Sequence, residues 1–374
     1  MPLDISARIE NVEYTPLLCK ELNEYGMEDL LSGSAFNDGA FRLRTDGGDL
    51  GVSWWVTPKR TRSYPYTRVY DTMDTPKKVT VIPIVKDEGA DGDRDYLKWS
   101  SVSLMSLLGV YVIPAYYATA VKNPEYENKI TGQEFDYEYV VNKIDELLGY
   151  QSDALHWNMK EMERLDELAE VCEKKYYEEI SAETGVSMHS RSYFKKKMKE
   201  MTEGVEEFKR TSKQQSKEAQ RREFLTDQPK EKAVYDKGRV TVENFLGGLY
   251  HFTADEAMVV DDTVVLIEKK HTRRTMPSLG DIKDGLLKSV VFSNIEEAET
   301  KEGTYDVRAG VGMTGDDFPG ICTESSEIPD GLKDMYRDRL SNIFDECERN
   351  GLVCYGSPSD ITRDEERALV ADAL

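Results

Sequence analysis

Residues 255–270 read DEAMVVDDTVVLIEKK, an apolar ribbon with acids at its mouth, two more at its middle and Glu-Lys-Lys at its far end. A charge denied water is costly unless it is paired or bound to metal, so few folds can end such a strand this way. Asp261-Asp262 predicts a two-residue turn between strands at 256–260 and 263–269. That turn sets Val260 across from Thr263, Val259 across from Val264 and Asp255 across from Glu268, and side-chain alternation puts Lys270 on the face of Glu268. The other members of that face, Ala257, Val259, Val264 and Leu266, are apolar, a placement that a solvated rim would not require. A turn one residue different in length would put Glu256 across from Glu268 instead. Two carboxylates about 5 Å apart repel by roughly 3 kcal/mol at an effective dielectric near 20. An ammonium group offsets part of this. A hard cation such as Mg2+, held by one or two carboxylates plus waters and phosphate oxygens, offsets more. The bland alternative is an ordinary hairpin whose Glu268, Lys269 and Lys270 are surface charges.

A formal net charge of −22 over 374 residues argues against phosphate partners unless basic residues cluster locally. One such cluster is TPKRTRSYPYTRVYDT, residues 57–72, which sets Lys59, Arg60, Arg62 and Arg68 among Tyr64, Tyr66 and Tyr70. Guanidinium forks suit phosphates and guanine edges, and tyrosines can stack, so these are the candidate DNA-binding residues; a solvated β-hairpin or loop would read the same way. The HTRR stretch after the ribbon, with His271, Arg273 and Arg274, has the composition of a phosphate-contacting loop. Asp87, Asp91, Asp93 and Asp95 form an acidic segment after a buried strand, a second candidate cation site, but the twelfth position of a calcium loop is Val102, so a solvated turn is the simpler reading. There is no phosphate-binding P-loop and no nucleophile elbow.

Five cysteines, odd in number and without a CxxC pair, fit the reduced thiols of a cytoplasmic protein. The N-terminus lacks the apolar core of a signal peptide. Ser100–Val121 is uncharged and about long enough to span a bilayer, but Gly109 and Pro114 divide it. It predicts a buried helix over 100–108, a glycine stop and a buried strand over 110–118.

Helices near Leu17–Leu31 and Tyr137–Leu148 and a strand at Val79–Val85 make residues 1–150 an α/β region, assigned to DNA recognition. Residues 151–228 predict an αα-hairpin arm. Its first stripe runs through 153–183 and stops at Thr184-Gly185; its second, capped by Ser190, runs through Phe194, Met198, Met201, Val205 and Phe208. Residues 190–222 carry eleven basic and five acidic residues, and 153–183 carry four basic and ten acidic, so the helices can neutralise one another, leaving DNA contact to the region of Arg221-Arg222. Residues 229–374 return to short strands and helices.

At Asp255 and Glu268-Lys269-Lys270 the chain resembles the PD-(D/E)xK nuclease superfamily, the fold of many restriction endonucleases: an acid opening one strand, a short hairpin, then (D/E)xK closing the next. The resemblance covers residues 239–313. It includes a following helix capped by Ser278, with Asp281 in its first turn and Ile282, Leu286 and Val290 on its buried stripe, and a strand at Tyr305–Val311. Ala254 stands where the family's proline would. The resemblance implies an α/β protein whose C-terminal residues 229–374 form a restriction-endonuclease-like mixed-sheet core. Asp255 and Glu268 would hold Mg2+, Lys270 would assist the nucleophile, and Glu243 would stand for the family's additional helix-borne acid. The implied activity is that of a type II restriction endonuclease cutting double-stranded DNA to 5′-phosphate and 3′-hydroxyl ends, as a homodimer, beside a cognate methyltransferase acting on the same site. Two alternatives stay open: a defence or repair nuclease without short-sequence specificity, and a non-catalytic nucleic-acid-binding protein with a decayed nuclease core.

Overall fold

A computed structural model of the protein describes residues 3–59, 64–202, 237–244 and 249–374. It is a mixed α/β protein in two compact units, Glu21–Gln214 and Met1–Lys20 with Gln215–Leu374. The chain opens with β1 (Leu3–Ile9), whose alternate residues Ile5, Ala7 and Ile9 are buried.

In the Glu21–Gln214 unit, β2 (Glu24–Tyr25), β3 (Ala40–Leu43), β4 (Leu50–Trp54) and β5 (Lys77–Pro83) precede a hairpin of β6 (Val85–Asp87) and β7 (Arg94–Tyr96). β8 (Val110–Ala115) and a second hairpin of β9 (Tyr117–Lys122) and β10 (Ile130–Phe135) follow. The main sheet has the order β2-β3-β4-β5-β8, with β3 and β4 antiparallel and the other neighbours parallel. Its near-continuous apolar strands are buried, as parallel strands covered on both faces must be: Val52, Val79, Val81 and Ile113 share a core with Phe41, Ile144 and Trp157. The uncharged segment divides as its composition predicts, into the Trp99–Leu107 helix, Gly109 at φ 65° and β8. The helix over Tyr137–Leu148 is present and is capped by Asp136, which accepts from Tyr139 N at 2.9 Å. Among the described residues no helix is long and apolar enough to cross a membrane.

β8 is the edge of its sheet, and helical side chains seal it. Trp157 Nε1 donates to Val112 O (2.8 Å), Asn158 Oδ1 accepts from Val112 N (2.7 Å) and Asn158 Nδ2 donates to Val110 O (3.0 Å). The 153–183 stripe is therefore tied to the α/β sheet of the same unit. It is also segmented, into Ala154–Met162, Leu165–Lys174, a π-helical stretch Lys175–Ile180 and Ser181–Thr184, and it ends at Gly185 with φ 67°. The next helix, Arg191–Thr202, buries Phe194, Met198 and Met201, and Arg191 pairs with Glu173 (2.6 Å) and Glu178 (2.9 Å) across the joint, so the opposite charges of the two segments do meet. Val205, Phe208 and Arg221-Arg222 lie outside the described residues.

The other unit carries an eight-stranded mixed sheet. β11 (Gly238–Asn244) runs parallel to β1 and antiparallel to β12 (Leu249–Ala254), and β13 (Glu256–Val260) and β14 (Thr263–Thr272) form a hairpin. Then come the Leu279–Ser293 helix, β15 (Ala298–Glu299), β16 (Thr304–Gly315), the Asp334–Arg349 helix, β17 (Val353–Pro358) and the Arg363–Asp372 helix. The order is β12-β11-β1-β15-β16-β14-β13, with β17 also paired to β16. β14, β16 and β17 are parallel, each joined to the next through a helix.

Two expectations are corrected here. β1 belongs with the C-terminal residues through β11 and β15, and not with the rest of 1–150. The helix predicted from Leu17 shrinks to Met27–Leu31, and the chain ahead of it is instead tied by its backbone to distant side chains. Glu13 N donates to Asn294 Oδ1 (2.8 Å), Thr15 N to Asn350 Oδ1 (2.7 Å), and Leu17 N and Leu18 N both to Glu346 Oε2.

Candidate active site

The site is built on the β13–β14 hairpin. Its turn is Asp261-Asp262, and Asp261 adopts φ 51°, the left-handed conformation such a two-residue turn demands and that aspartate tolerates. The register follows: Val260 opposite Thr263, Val259 opposite Val264, Glu256 opposite Ile267. Asp255, at the bend between β12 and β13, therefore comes level with Glu268, and its Oδ2 accepts from Lys269 N at 2.9 Å. Asp255, and not Glu256, is therefore the acid level with Glu268.

Glu268 is fully buried, and burial together with the nearby Asp255 charge pushes its carboxyl up to about 7, against the opposing pull of Lys288 and Lys270. Lys288 Nζ lies 2.9 Å from Glu268 Oε1 and donates to Thr253 O at 3.4 Å. Lys270 Nζ lies 3.6 Å from Glu268 Oε2 and 3.2 Å from Asp284 Oδ2. Glu268 Oε2 accepts no hydrogen bond from any described residue. The cluster thus joins three carboxylates to two ammonium groups, and Asp255 and Lys270 are its partly exposed members.

The Leu279–Ser293 helix brings in Asp284 and Lys288. Ser278 caps it, accepting from Asp281 N at 3.1 Å. Its glycine permits the close approach: a Cβ on Gly285 would lie 2.9 Å from Lys270 Cε and 3.6 Å from Glu268 Cβ. Nothing in the sequence reading selected Asp284 or Lys288. An acid and a lysine four apart on a helix ordinarily read as a surface pair, and the signal that they are not is the apolar residues crowding every side of them in IKDGLLKSVVF.

The opposite face of β14 holds a second buried cluster. Lys269 Nζ lies 2.8 Å from Glu256 Oε1 and 2.7 Å from Glu366 Oε1 on the Arg363–Asp372 helix, and Tyr355 OH donates to Glu366. Burial, opposed by Lys269 but aided by Glu366, pushes the Glu256 carboxyl up to about 7. Val370 of that helix shares an apolar cluster with Met258, Val265, Ile267 and Tyr355.

Other predicted site residues fall elsewhere. Glu243 is exposed at the far end of the β11–β12 ladder, where it pairs with Leu249 while Gly238 pairs with Ala254; five residues of strand, about 17 Å, separate it from the Asp255 end. His271 Nδ1 is 3.1 Å from Thr314 Oγ1, and Arg273 and Arg274 are exposed just beyond β14. The basic-aromatic segment forms a short helix, Tyr64–Tyr70, in place of a hairpin or loop. Lys59 pairs with Asp95; Arg68 donates to Trp54 O at 2.7 Å and stacks over the Trp54 ring; Tyr66 packs edge-on to Trp55; Tyr70 is buried. Arg60, Arg62 and the side chain of Tyr64 lie outside the described residues. The acidic segment does not converge on a cation: Asp87 holds His189 at 2.7 Å and Gly89 N at 3.0 Å, Asp91 accepts from Asn128 N, and Asp95 holds Lys59.

No known protein family matches the chain, and neither a curated protein nor a solved structure is significantly similar to it. Among the described residues, no group of three or more His, Cys, Asp or Glu side chains is arranged to hold a metal ion.

Proposed function

We propose that the protein is a Mg2+-dependent DNA endonuclease of the PD-(D/E)xK kind, with Asp255, Glu268 and Lys270 at its active site. The observation that carries this reading is the hairpin register, which puts an acid, a second acid and a lysine on one face at the end of adjacent strands. The donor set suits a hard cation, which needs only one or two protein carboxylates beside water and substrate phosphate. Glu268 supplies a buried carboxylate oxygen that accepts no hydrogen bond from the described residues, next to a second carboxylate on Asp255. Asp255 and Glu268 would hold the ion, which when bound supplies a more acidic water and charge neutralisation at the scissile phosphate. Lys270, held 3.2 Å from Asp284 and partly exposed, would orient the attacking water and balance the negative charge that builds on the phosphate. In-line attack would leave a 5′-phosphate and a 3′-hydroxyl.

A type II restriction enzyme acting on double-stranded DNA as a homodimer, alongside a cognate methyltransferase, is the specific form proposed. The engagement of Lys59 by Asp95 and of Arg68 by Trp54 takes two candidate base readers away from DNA, which favours the related reading of a defence or repair nuclease without short-sequence specificity. The complete burial of Glu268 and its pairing with Lys288 favour a third, a non-catalytic nucleic-acid-binding protein. Incubation with unmodified duplex DNA and Mg2+ separates them. Discrete fragments support the restriction enzyme, heterogeneous cutting the defence or repair nuclease, and binding that persists in EDTA without any cutting in Mg2+ the non-catalytic protein.

A further inference from the structure

The two lysines of the cluster share Glu268 unequally. Lys288 lies nearer Glu268 (2.9 Å) than Lys270 does (3.6 Å), and the nearer carboxylate to Lys270 is Asp284, at 3.2 Å. Lys288 is only 6% exposed, and its ammonium group also holds Thr253 O, two residues before Asp255. We propose that Lys288 is the resident counter-cation of Glu268 in the metal-free protein, and that it must share or yield that carboxylate when a divalent ion enters. This rests on the metal site proposed above and assigns Lys288 as a positioning residue that sets metal affinity.

The physical reason is that a fixed positive charge in contact with a carboxylate weakens the pull of that carboxylate on a second cation, and does so most where water is excluded. Lys288 is fixed from two sides, by Glu268 and by Thr253 O, so it keeps a partner if Glu268 turns toward a metal. Lys270 is left to the substrate side because Asp284, on the same helix as Lys288, anchors it. The Asp284/Lys288 pair thereby divides the labour: one lysine stands in for the metal and the other waits for phosphate.

Calorimetric titration of Mg2+ and Mn2+ into the full chain, without DNA and under mildly alkaline conditions, tests this. Lys288→Met is expected to bind about tenfold or more tightly than the parent, Lys288→Arg like the parent, and Lys270→Met with a smaller gain because its ammonium group is farther from Glu268. Equal or weaker binding by a folded Lys288→Met, or binding by neither it nor the parent, overturns the proposal. Should Lys288→Met not fold, the parent with 15N-labelled lysine is titrated with Mg2+: a Lys288 ammonium signal that shifts and exchanges faster supports the proposal, and one that does not move overturns it. DNA cutting by the parent with unaltered metal affinity in Lys288→Met would sink this inference alone. Tighter metal binding without any cutting would sink the nuclease reading alone.

Discussion

The two faces of β14 carry clusters built from the same letters to different ends. Toward the Leu279–Ser293 helix stand Asp255, Glu268, Lys270, Asp284 and Lys288; toward the Arg363–Asp372 helix stand Glu256, Lys269, Glu366 and Tyr355. Asp255 and Glu256 are neighbours in sequence, as are Lys269 and Lys270, and the pleat of the strand sends them to opposite sides. In the rear cluster the carboxylates are almost wholly buried, a partly exposed lysine bridges both of them, and a tyrosine hydroxyl donates to one. What the forward cluster has and the rear one lacks is a partly exposed carboxylate, Asp255; both hold a buried acid whose carboxyl is pushed up to about 7. We therefore propose chemistry for the forward face, where a carboxylate is partly exposed, and anchorage of the C-terminal helix for the rear one.

Activity and stability should separate between the two faces. The largest effect is expected on the forward face: Glu268→Ala and Lys270→Ala should lose roughly a thousandfold or more of Mg2+-dependent cleavage while remaining folded, as read by fragment release and circular dichroism. On the rear face, Lys269→Ala leaves two buried acids without their ammonium group and should cost about 3–5 kcal/mol in urea unfolding while sparing cleavage at low temperature. Gly285→Ala should act on the forward face alone, since its methyl can be accommodated only by moving the flexible Lys270 chain; a loss of cleavage of about tenfold with little change in unfolding would fit.

Smaller effects come from protonation and from a single hydroxyl. A carboxyl whose folded pKa exceeds its unfolded value holds its proton more tightly in the native protein. The stability owed to that proton is complete below about 4.5 and is lost as pH rises through about 7. Glu256 and Glu268 both have this sign, so stability should fall across that window, with a slope of at most about 1.4 kcal/mol per pH unit from each. Glu256→Gln and Glu268→Gln should each remove one share of the slope; a rise in stability over the window would contradict the assignment. Tyr355→Phe, which removes one donor to Glu366, should cost about 1 kcal/mol and leave cleavage unaltered.

The sequence was most legible where local pattern and geometry coincide. A two-residue turn leaves one register for the ribbon, and Gly109 could only break the uncharged segment where it does. What could not be read was which distant segment would cover each face. Nothing local announces that Leu3–Ile9 will lie beside Gly238–Asn244, that Glu346 will accept from the amides of Leu17 and Leu18, or that Glu366 will claim Lys269. Periodicity tells which side of an element is buried; the partner is settled by contacts far along the chain. Glu243 illustrates the opposite failure, an acid chosen to stand for the family's helix-borne acid that lies on a strand, β11, whose ladder with β12 carries it away from Asp255.

The most direct test is the rate of Mg2+-dependent cleavage of unmodified duplex DNA by Lys270→Ala beside Lys269→Ala, two adjacent substitutions that differ in the face they empty. Cutting abolished in Lys270→Ala and retained in Lys269→Ala is the expected result. The same rate in both, or the loss falling on Lys269→Ala, would contradict the assignment of the forward face as the active site.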